Sequence, residues 1–171
     1  MGKGAVLVQV RLATVNDMDA IVELVEEFSR AGVLLPRSRD SLMHSLGSLV
    51  VAYDDGDLIG VAALHKLEYS VGEVRSLAVR DGYQGRGVGQ ALVRFTVNLA
   101  QQAGLAKVIC FTRQVSFFER CGFVTVARET IPGKYFIDCV NCPKLSHCDE
   151  TAMERVLTKS FAQPYAQSAA Y

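Results

Sequence analysis

The stretch RDGYQGRGVGQALVRF, residues 80–95, brings Gly85, Gly87 and Gly89 together where an apolar helical pattern begins. It follows the apolar segment VGEVRSLAV, residues 71–79, which has the composition of a buried strand. Glycines lack Cβ atoms, so backbone N–H groups can converge on an anion, and the positive end of the helix dipole adds to the attraction. The stretch therefore predicts a strand, an anion-binding turn and a helix.

Three kinds of nucleotide site use such a turn. The P-loop requires a Gly-Lys-Ser/Thr ending, which this stretch lacks. The Rossmann fingerprint opens its domain and has an acidic residue about 20 positions later, whereas this turn lies in mid-chain and is followed there by glutamines and alanines. The third is the pyrophosphate loop of coenzyme A acetyltransferases, Gln/Arg-x-x-Gly-x-Gly/Ala, which matches at Gln84, Gly87 and Gly89.

The composition narrows the class of protein. The 171 residues fit one domain, and 18 basic residues balance 18 acidic ones. This balance argues against a nucleic-acid or anionic-membrane surface, and no apolar run reaches the roughly 20 residues of a membrane span. The five cysteines are an odd number, which favours a reducing compartment over secretion. We therefore expect a cytoplasmic protein without a nucleic-acid or membrane partner.

The order of the segments predicts an α/β domain with one mixed sheet. A first helix is expected after a cap at Asn16 or Asp17. The residues DDGD at 54–57 lie between two apolar segments and predict a β-hairpin. A long helix is expected from Val88 to Gly104.

The C-terminal part is expected to complete the same sheet. The segments FVTVARE, residues 123–129, and YFIDCV, residues 135–140, are apolar enough to form the last strands. We assign residues 1–150 to this domain and residues 151–171 to a C-terminal helix or tail.

Two stretches resemble the GNAT acetyltransferase superfamily: VRSLAVRDGYQGRGVGQALV resembles its central strand, loop and helix, and FFERCGF its later helix-to-strand signature. The resemblance implies a GNAT fold, with a single mixed, mostly antiparallel sheet, a splayed central strand pair and flanking helices. It implies acetyl-CoA as co-substrate and no metal in the chemistry. The splayed strand would pair with the pantetheine arm, and the loop would hold the diphosphate. The implied coenzyme-binding residues are Leu77, Ala78, Val79, Gln84, Gly85, Arg86, Gly87, Val88 and Gly89.

Glu73 and Arg75 stand two residues apart in the strand before the loop, so both side chains are expected on one face. We expect Leu77 and Val79 to continue that face toward the coenzyme. Acetyl transfer requires a neutral amine, and Glu73 could take the ammonium proton directly or through a water. Arg75 would weaken this base if it paired with it, so we expect Arg75 to bind a substrate carboxylate. A surface salt bridge between the two residues is the alternative.

Arg37 lies in GVLLPRSRDSL, residues 32–42, after the first helix, where folds of this family build the acceptor pocket. With Arg75 it offers two bidentate guanidinium groups, which suit an acceptor with two carboxylates. Arg39 fits a solvated helix start equally well. This segment resembles short bacterial N-acetylglutamate synthases, as do GVAALH, GEVRSLAV and IPGKYFIDCVNCPKLSHCDE.

The resemblance to these synthases covers most of the chain. It implies L-glutamate as the acceptor, N-acetylglutamate as the product and the first step of arginine biosynthesis. It places Glu73 at the position of the proposed base. The amino-acid-kinase domain of longer synthases is missing from this sequence, so inhibition by arginine through that domain is not implied.

Phe118 departs from the family pattern, because many members have a tyrosine there that protonates the leaving thiolate. Another group or water then protonates the sulfur, or coenzyme A leaves as the thiolate. Cys139, Cys142 and Cys148 are weak candidates for metal ligands, and packed or redox-sensitive thiols are the favoured interpretation.

Two other functions remain open from the sequence. One is acetylation of another small amine or a protein N-terminus, and the other is a non-catalytic sensor that binds acetyl-CoA. A homodimer is an assembly that the sequence also leaves open.

Overall fold

The structure is a computed structural model that describes residues 8–158. Its strands are β1 (Gln9–Leu12), β2 (Leu49–Asp54), β3 (Asp57–Glu68), β4 (Val71–Val79), β5 (Lys107–Thr112), β6 (Val124–Thr125) and β7 (Thr151–Val156). Its α-helices are α1 (Met18–Arg30), α2 (Arg39–His44), α3 (Val88–Gln102), α4 (Val115–Arg120) and α5 (Pro132–Ile137). The strands form one sheet in the order β1-β2-β3-β4-β5-β7-β6.

The sheet is mixed, as the sequence predicts. In the described chain every neighbouring pair of strands is antiparallel except β4 and β5, which are parallel. The predicted hairpin between β2 and β3 is confirmed, with a two-residue turn in which Asp55 has φ +47° and Gly56 φ +85°. Two positive φ angles define the tight turn that matches the twist of the flanking strands.

Helices cover both faces of the sheet. Helices α1 and α2 pack on one face through the apolar residues that recur at helical spacing, which are Met18, Ile21, Leu24, Val25, Phe28 and Leu42. Helix α3 packs on the other face through Val88, Leu92, Val93, Val97 and Ala100. These buried stripes confirm both helices predicted from the 3.6-residue period.

Asp17 fixes the start of α1 and joins three elements. Its buried carboxylate accepts hydrogen bonds from the Arg11 guanidinium at 2.7 and 2.8 Å, from the Thr14 N–H at 2.7 Å and from the Tyr53 hydroxyl at 2.7 Å. The bonds from Arg11 contribute most to holding the pKa of Asp17 far below its usual value. Burial, followed by the bond to Asp17, raises the pKa of Tyr53 to about 12. The predicted cap is confirmed, and β1, α1 and β2 are tied together.

A β-bulge interrupts β4 at Ser76, whose φ is +52°. Val61 of β3 pairs with Ala78, whereas Ala63 pairs with Arg75, so two residues of β4 face one residue of β3. Because side chains alternate with a period of two, one extra residue reverses every side chain that follows.

The bulge corrects one prediction from the sequence. Leu77 and Val79 pack toward α3, on the opposite face from Glu73, so the prediction that they continue its face is wrong. The predicted splay is present: within the described residues β4 pairs with β5 only over Val71–Glu73. The backbone of β4 beyond Glu73 therefore has no strand partner on its β5 side in this part of the chain.

The C-terminal part differs from the prediction. The segment YFIDCV does not form a strand but lies in α5 and the turn after it, because Pro132 at the first helical position favours a helix and has no N–H for a ladder. The predicted tail begins instead with strand β7, which pairs with β5 and β6. The strand was not predicted because the adjacent charged residues Glu154 and Arg155 interrupt its apolar pattern. In the structure Glu154 pairs with Lys107, and Arg155 donates to the Cys121 carbonyl.

The rest of the predicted tail, residues 159–171, lies outside the described residues. Among the residues that are described, no helix has the length and apolar character needed to cross a bilayer.

Gly60 allows α3 to lie against β3. A Cβ there would be 2.9 Å from Leu92 Cδ1 and 3.1 Å from the Ala78 carbonyl oxygen. We expect Gly60→Ala to lower the free energy of unfolding by about 1–3 kcal/mol, because α3 must shift away from the sheet.

Gly47→Ala is the control, because a Cβ at Gly47 would meet no atom within 4 Å. Its free energy of unfolding should change by less than about 1 kcal/mol. Urea unfolding followed by circular dichroism measures both variants, and equal stabilities would contradict close packing at Gly60.

Candidate active site

The glycine-rich turn joins β4 to α3, as the sequence predicts. Gly85 and Gly87 have left-handed φ angles of +71° and +83°, and a Cβ at either position would meet no atom within 4 Å. The turn is exposed and opens at the N-terminus of a 15-residue helix whose first turn contains no acidic residue. Unobstructed backbone at the positive end of a helix fits the diphosphate of a nucleotide.

The side chains of Gln84 and Arg86 make different contacts in this turn. The Gln84 side-chain amide donates a hydrogen bond of 2.9 Å to the Val79 carbonyl, which fixes the turn to the end of β4. The exposed Arg86 guanidinium lies 5.5 Å from the centre of the Tyr83 ring. Arg86 therefore supplies a positive charge at the turn, whereas Gln84 shapes the backbone.

The first residues of α3 are packed. Val88 is buried, so only its backbone faces the turn, and a Cβ on Gly89 would be 3.1 Å from the Phe117 ring. The Phe118 ring is buried in the core, with centroid distances of 5.1 Å to Phe117 and 5.2 Å to Phe123. The position where many relatives have a tyrosine is thus an apolar packing position here.

Glu73 is a buried carboxylate held by two cations. Its Oε2 lies 2.6 Å from Arg75 Nε, and its Oε1 lies 2.6 Å from Lys134 Nζ on α5. Glu73 and Arg75 share one face of the strand, as predicted, but they form the salt bridge that was considered as the alternative to a free Arg75. The pair is not a surface pair, because the Glu73 side chain is buried and that of Arg75 is partly buried. Burial without these partners would be costly, so the two ion pairs fix the orientation of the carboxylate.

Asp138, at the end of α5, closes a ring of charges around Glu73. Its Oδ2 lies 3.0 Å from Lys134 Nζ and also contacts Arg75 Nη2. The sequence did not predict Lys134 and Asp138 as a pair, because their segment was expected to be a strand. Residues four apart lie on the same side of a helix but not next to each other in a strand. The proline at the start of that segment was the signal that could have revealed them.

Helix α5 is anchored to the sheet beside this ring. The Gly133 N–H donates a hydrogen bond of 3.0 Å to Glu68 Oε1 at the end of β3. A Cβ on Gly133 would collide with the end of the Glu68 side chain, so that carboxylate would have to move if the residue were larger. The anchor positions Lys134, the next residue, over Glu73.

Arg37 is half-buried and is paired with neutral groups. Its Nη2 donates to the Ser45 hydroxyl at 2.8 Å and to the Ser41 hydroxyl and carbonyl at 3.1 Å. Burial, and then the charge of Arg75, lowers the pKa of Arg37. Arg39 instead forms an exposed pair with Asp19 at 2.6 Å, as expected for a solvated helix start.

His65 lies directly across from Glu73 on β3, a position that the sequence left unassigned. It is half-buried, and burial, followed by the charge of Arg75, lowers its pKa, so the imidazole is neutral at pH 7. Because the imidazole is neutral, the charges around Glu73 are those of Arg75, Lys134 and Asp138.

Cys139, Cys142 and Cys148 are free thiols in the segment after α5. Cys148 Sγ lies 3.2 Å from Arg128 Nη2. Within residues 8–158, no group of three or more histidine, cysteine, aspartate or glutamate side chains is arranged to hold a metal ion.

The chain is similar in sequence to known acetyltransferases. A family model described as the acetyltransferase (GNAT) family matches residues 18–123. An uncharacterized N-acetyltransferase of Chlorobaculum tepidum is 33% identical over 148 residues, which are 86% of this chain and 96% of that protein. The amino-acid acetyltransferase of Escherichia coli K12 is 32% identical over 126 residues, and the match covers 72% of this chain but 28% of that protein.

Two solved structures resemble the whole fold. N-acetylglutamate synthase from Neisseria gonorrhoeae, complexed with coenzyme A and N-acetyl-glutamate, superimposes with a TM-score of 0.76 at 25% identity over 89% of this chain and 35% of that one. Rv2747 from Mycobacterium tuberculosis, in complex with coenzyme A and a second ligand, gives a TM-score of 0.76 at 28% identity over 88% of this chain and 99% of that one.

The open backbone at Gly87 leads us to expect that coenzyme A binding depends on this position. We expect Gly87→Glu to weaken its binding by about a hundredfold or more, because a carboxylate is placed against the diphosphate and costs several kcal/mol. Isothermal titration calorimetry measures the dissociation constant. Gly89→Glu is less informative, because it would also collide with Phe117.

Gly104→Glu is the matched control. Gly104 has φ +73° and the same open surroundings, but it follows the opposite end of α3. This variant should bind coenzyme A normally, and a folded Gly87→Glu protein with unchanged affinity would show that the diphosphate lies elsewhere.

Proposed function

The chain belongs to the GNAT acetyltransferase family, and we propose that it transfers the acetyl group of acetyl-CoA to the amine of L-glutamate, giving N-acetylglutamate. The observation that carries the proposal is the buried carboxylate of Glu73, which is paired with the guanidinium group of Arg75. The charge of Arg75 also contributes to lowering the pKa of Arg37, which makes Arg37 a candidate for the second guanidinium group of the site. The reaction would be the first step of arginine biosynthesis.

The relatives support this choice of acceptor. Amino-acid acetyltransferases and an N-acetylglutamate synthase share both sequence and fold with this chain, although it spans only about a third of their length. A polyamine or a basic peptide would require unpaired acidic groups in the pocket, whereas the carboxylates of Glu73 and Asp138 are both paired with Arg75 and Lys134.

Arg37 and Arg75 would bind the two carboxylates of the acceptor. Arg37 has only neutral partners among the described residues, so its charge is available to a ligand. Each planar guanidinium can form two parallel hydrogen bonds to one carboxylate. Two such groups from different elements would fix the acceptor at both ends and leave its nitrogen free.

Glu73 would accept the proton that the acceptor's ammonium group must lose. Acetyl-CoA, the donor in this family, supplies the thioester that the neutral amine attacks. Lys134 and Arg75 hold one oxygen of Glu73 each, so the carboxylate cannot rotate away from the acceptor. Phe118 offers no hydroxyl to the leaving sulfur, so its proton comes from water or from another group, or coenzyme A leaves as the thiolate.

The role of Glu73 is testable by a change of one atom. We expect Glu73→Gln to lower kcat by about 10²–10⁴-fold at pH 7 while coenzyme A binding persists, because the amide cannot accept the proton. The deficit should shrink at alkaline pH, where more of the amine is already neutral. Steady-state kinetics across pH measures both effects.

Glu154→Gln is the control for loss of an ion-paired carboxylate, because Glu154 pairs with Lys107 at 2.8 Å outside the site. It should retain kcat. Normal turnover of Glu73→Gln at pH 7 would remove Glu73 from the mechanism, and coenzyme binding without transfer to any amine would favour a sensor.

The choice of acceptor is tested at the two arginines. We expect Arg37→Ala to raise the KM for glutamate by the equivalent of about 2–5 kcal/mol, because a carboxylate loses its partner, with little change for acetyl-CoA. Arg75→Ala should raise KM similarly and also lower kcat, because Arg75 orients Glu73. Lysine at either position should restore only part of the loss.

Arg39→Ala is the control, because its pair with Asp19 is exposed and should contribute little. Comparable rates with glutamate and with uncharged amino acids would overturn the assignment. They would favour another small amine or a protein N-terminus as the acceptor.

A further inference from the structure

Asp138 is held less firmly than the other groups around Glu73. Its side chain is 32% exposed, compared with 14% for Lys134 and 3% for Glu73. Glu73 belongs to a central strand, whereas Asp138 follows the last residue of the short helix α5. Of the two carboxylates in the ring, Asp138 is therefore the one that can move without disturbing the sheet.

Arg75 contacts two protein carboxylates through adjacent nitrogens of its guanidinium group. Its Nε donates to Glu73, and its Nη2 contacts Asp138. A carboxylate from the acceptor needs two adjacent N–H groups for a bidentate contact. The Nη1 group and the second hydrogen of Nη2 form the other edge of the guanidinium group, and an acceptor carboxylate there shares Nη2 with Asp138. The two negative charges therefore compete at Arg75, whereas Glu73 is buried and stays in place.

We propose that Asp138 is a built-in competitor for the acceptor carboxylate at Arg75 and thereby sets the affinity for acceptors that have a carboxylate at that end. The inference rests on the proposed function, in which Arg75 binds a substrate carboxylate. An acceptor with a carboxylate at that end takes the place of Asp138 on Arg75. An acceptor with a neutral end leaves Asp138 in place, so its binding does not depend on the charge of Asp138.

Lys134 keeps Glu73 in position during this exchange. Its Nζ is bonded to Glu73 Oε1 at 2.6 Å independently of the contact between Arg75 and Asp138. Displacement of Asp138 thus leaves both cations, Arg75 and Lys134, on the proposed base. A change at Asp138 should therefore alter KM for the acceptor much more than kcat.

Asp138→Asn tests the proposal, because it keeps the shape of the side chain and removes its charge. We expect the KM for glutamate to fall by about two- to fivefold, the range for a partly exposed ion pair, while the KM for glutamine stays unchanged. Glutarate, which has two carboxylates and no amine, should bind two- to fivefold more tightly by calorimetry in the presence of coenzyme A.

Asp149→Asn is the matched control for charge, because Asp149 is exposed and lies 3.9 Å from Arg113 rather than at Arg75. It should leave the affinity for glutarate unchanged. In the Arg75→Ala background, adding Asp138→Asn should have no further effect, because the group for which the two carboxylates compete is gone.

The outcomes separate this inference from the proposed function. If the wild-type protein does not acetylate glutamate, the proposed function is wrong, while glutarate affinity still tests the competition at Arg75. Unchanged or weaker glutarate binding in Asp138→Asn would overturn the inference, because it would make Asp138 a structural partner of Arg75. If that variant does not fold, Asp138→Ser provides the same comparison with a shorter neutral side chain.

Discussion

The separation of β4 from β5 is the constraint on which the site depends. These two strands are parallel neighbours over only three residues, and the β-bulge at Ser76 then turns β4 away from regular pairing. The separation leaves backbone donors and acceptors free at the centre of a sheet, where they would normally be paired. It also carries the chain directly into the glycine-rich turn, so one strand contributes both a free edge and an anion-binding turn.

The charges on the other face of β4 follow from the burial of Glu73. A carboxylate in a central strand is stable only when cations or hydrogen-bond donors compensate its lost hydration. Arg75 comes from the same strand, but Lys134 comes from α5, far along the sequence. The short helix α5 therefore contributes to the surroundings of Glu73, and the hydrogen bond from Gly133 to Glu68 connects this helix to the end of β3.

The sequence predicted those parts of the molecule that depend on local pattern. The hairpin at Gly56, the cap at Asp17 and the stripe of α3 follow from turn chemistry and periodicity, and all three are confirmed. The bulge could not be predicted, because Ser76 has no intrinsic preference for a positive φ and takes it only in the assembled sheet.

Contacts between distant segments account for the rest. Lys134 and Asp138 lie in a segment whose aromatic and apolar residues indicated a strand, and only contact with Glu73 and Arg75 shows what they do. Strand β7 was not predicted because it contains charged residues, Glu154 and Arg155, whose partners lie on other elements. The roles proposed for Glu73, Arg37 and Arg75 came from spacing and chemistry, and the structure adds which groups surround them.

The Asp17 junction has a consequence for the behaviour of the protein in acid. A carboxyl group whose pKa is depressed by folding contributes stability above its unfolded pKa of about 3.9, and this contribution disappears as the pH falls toward the folded value. Protonation of Asp17 would release β1, an edge strand, and the start of α1 from β2. Edge elements can open locally without unfolding the whole domain. Helix α1 leads to the segment that carries Arg37, whereas α3 and its turn lie on the other face, so acid would disorganise the acceptor side of the molecule before the coenzyme side.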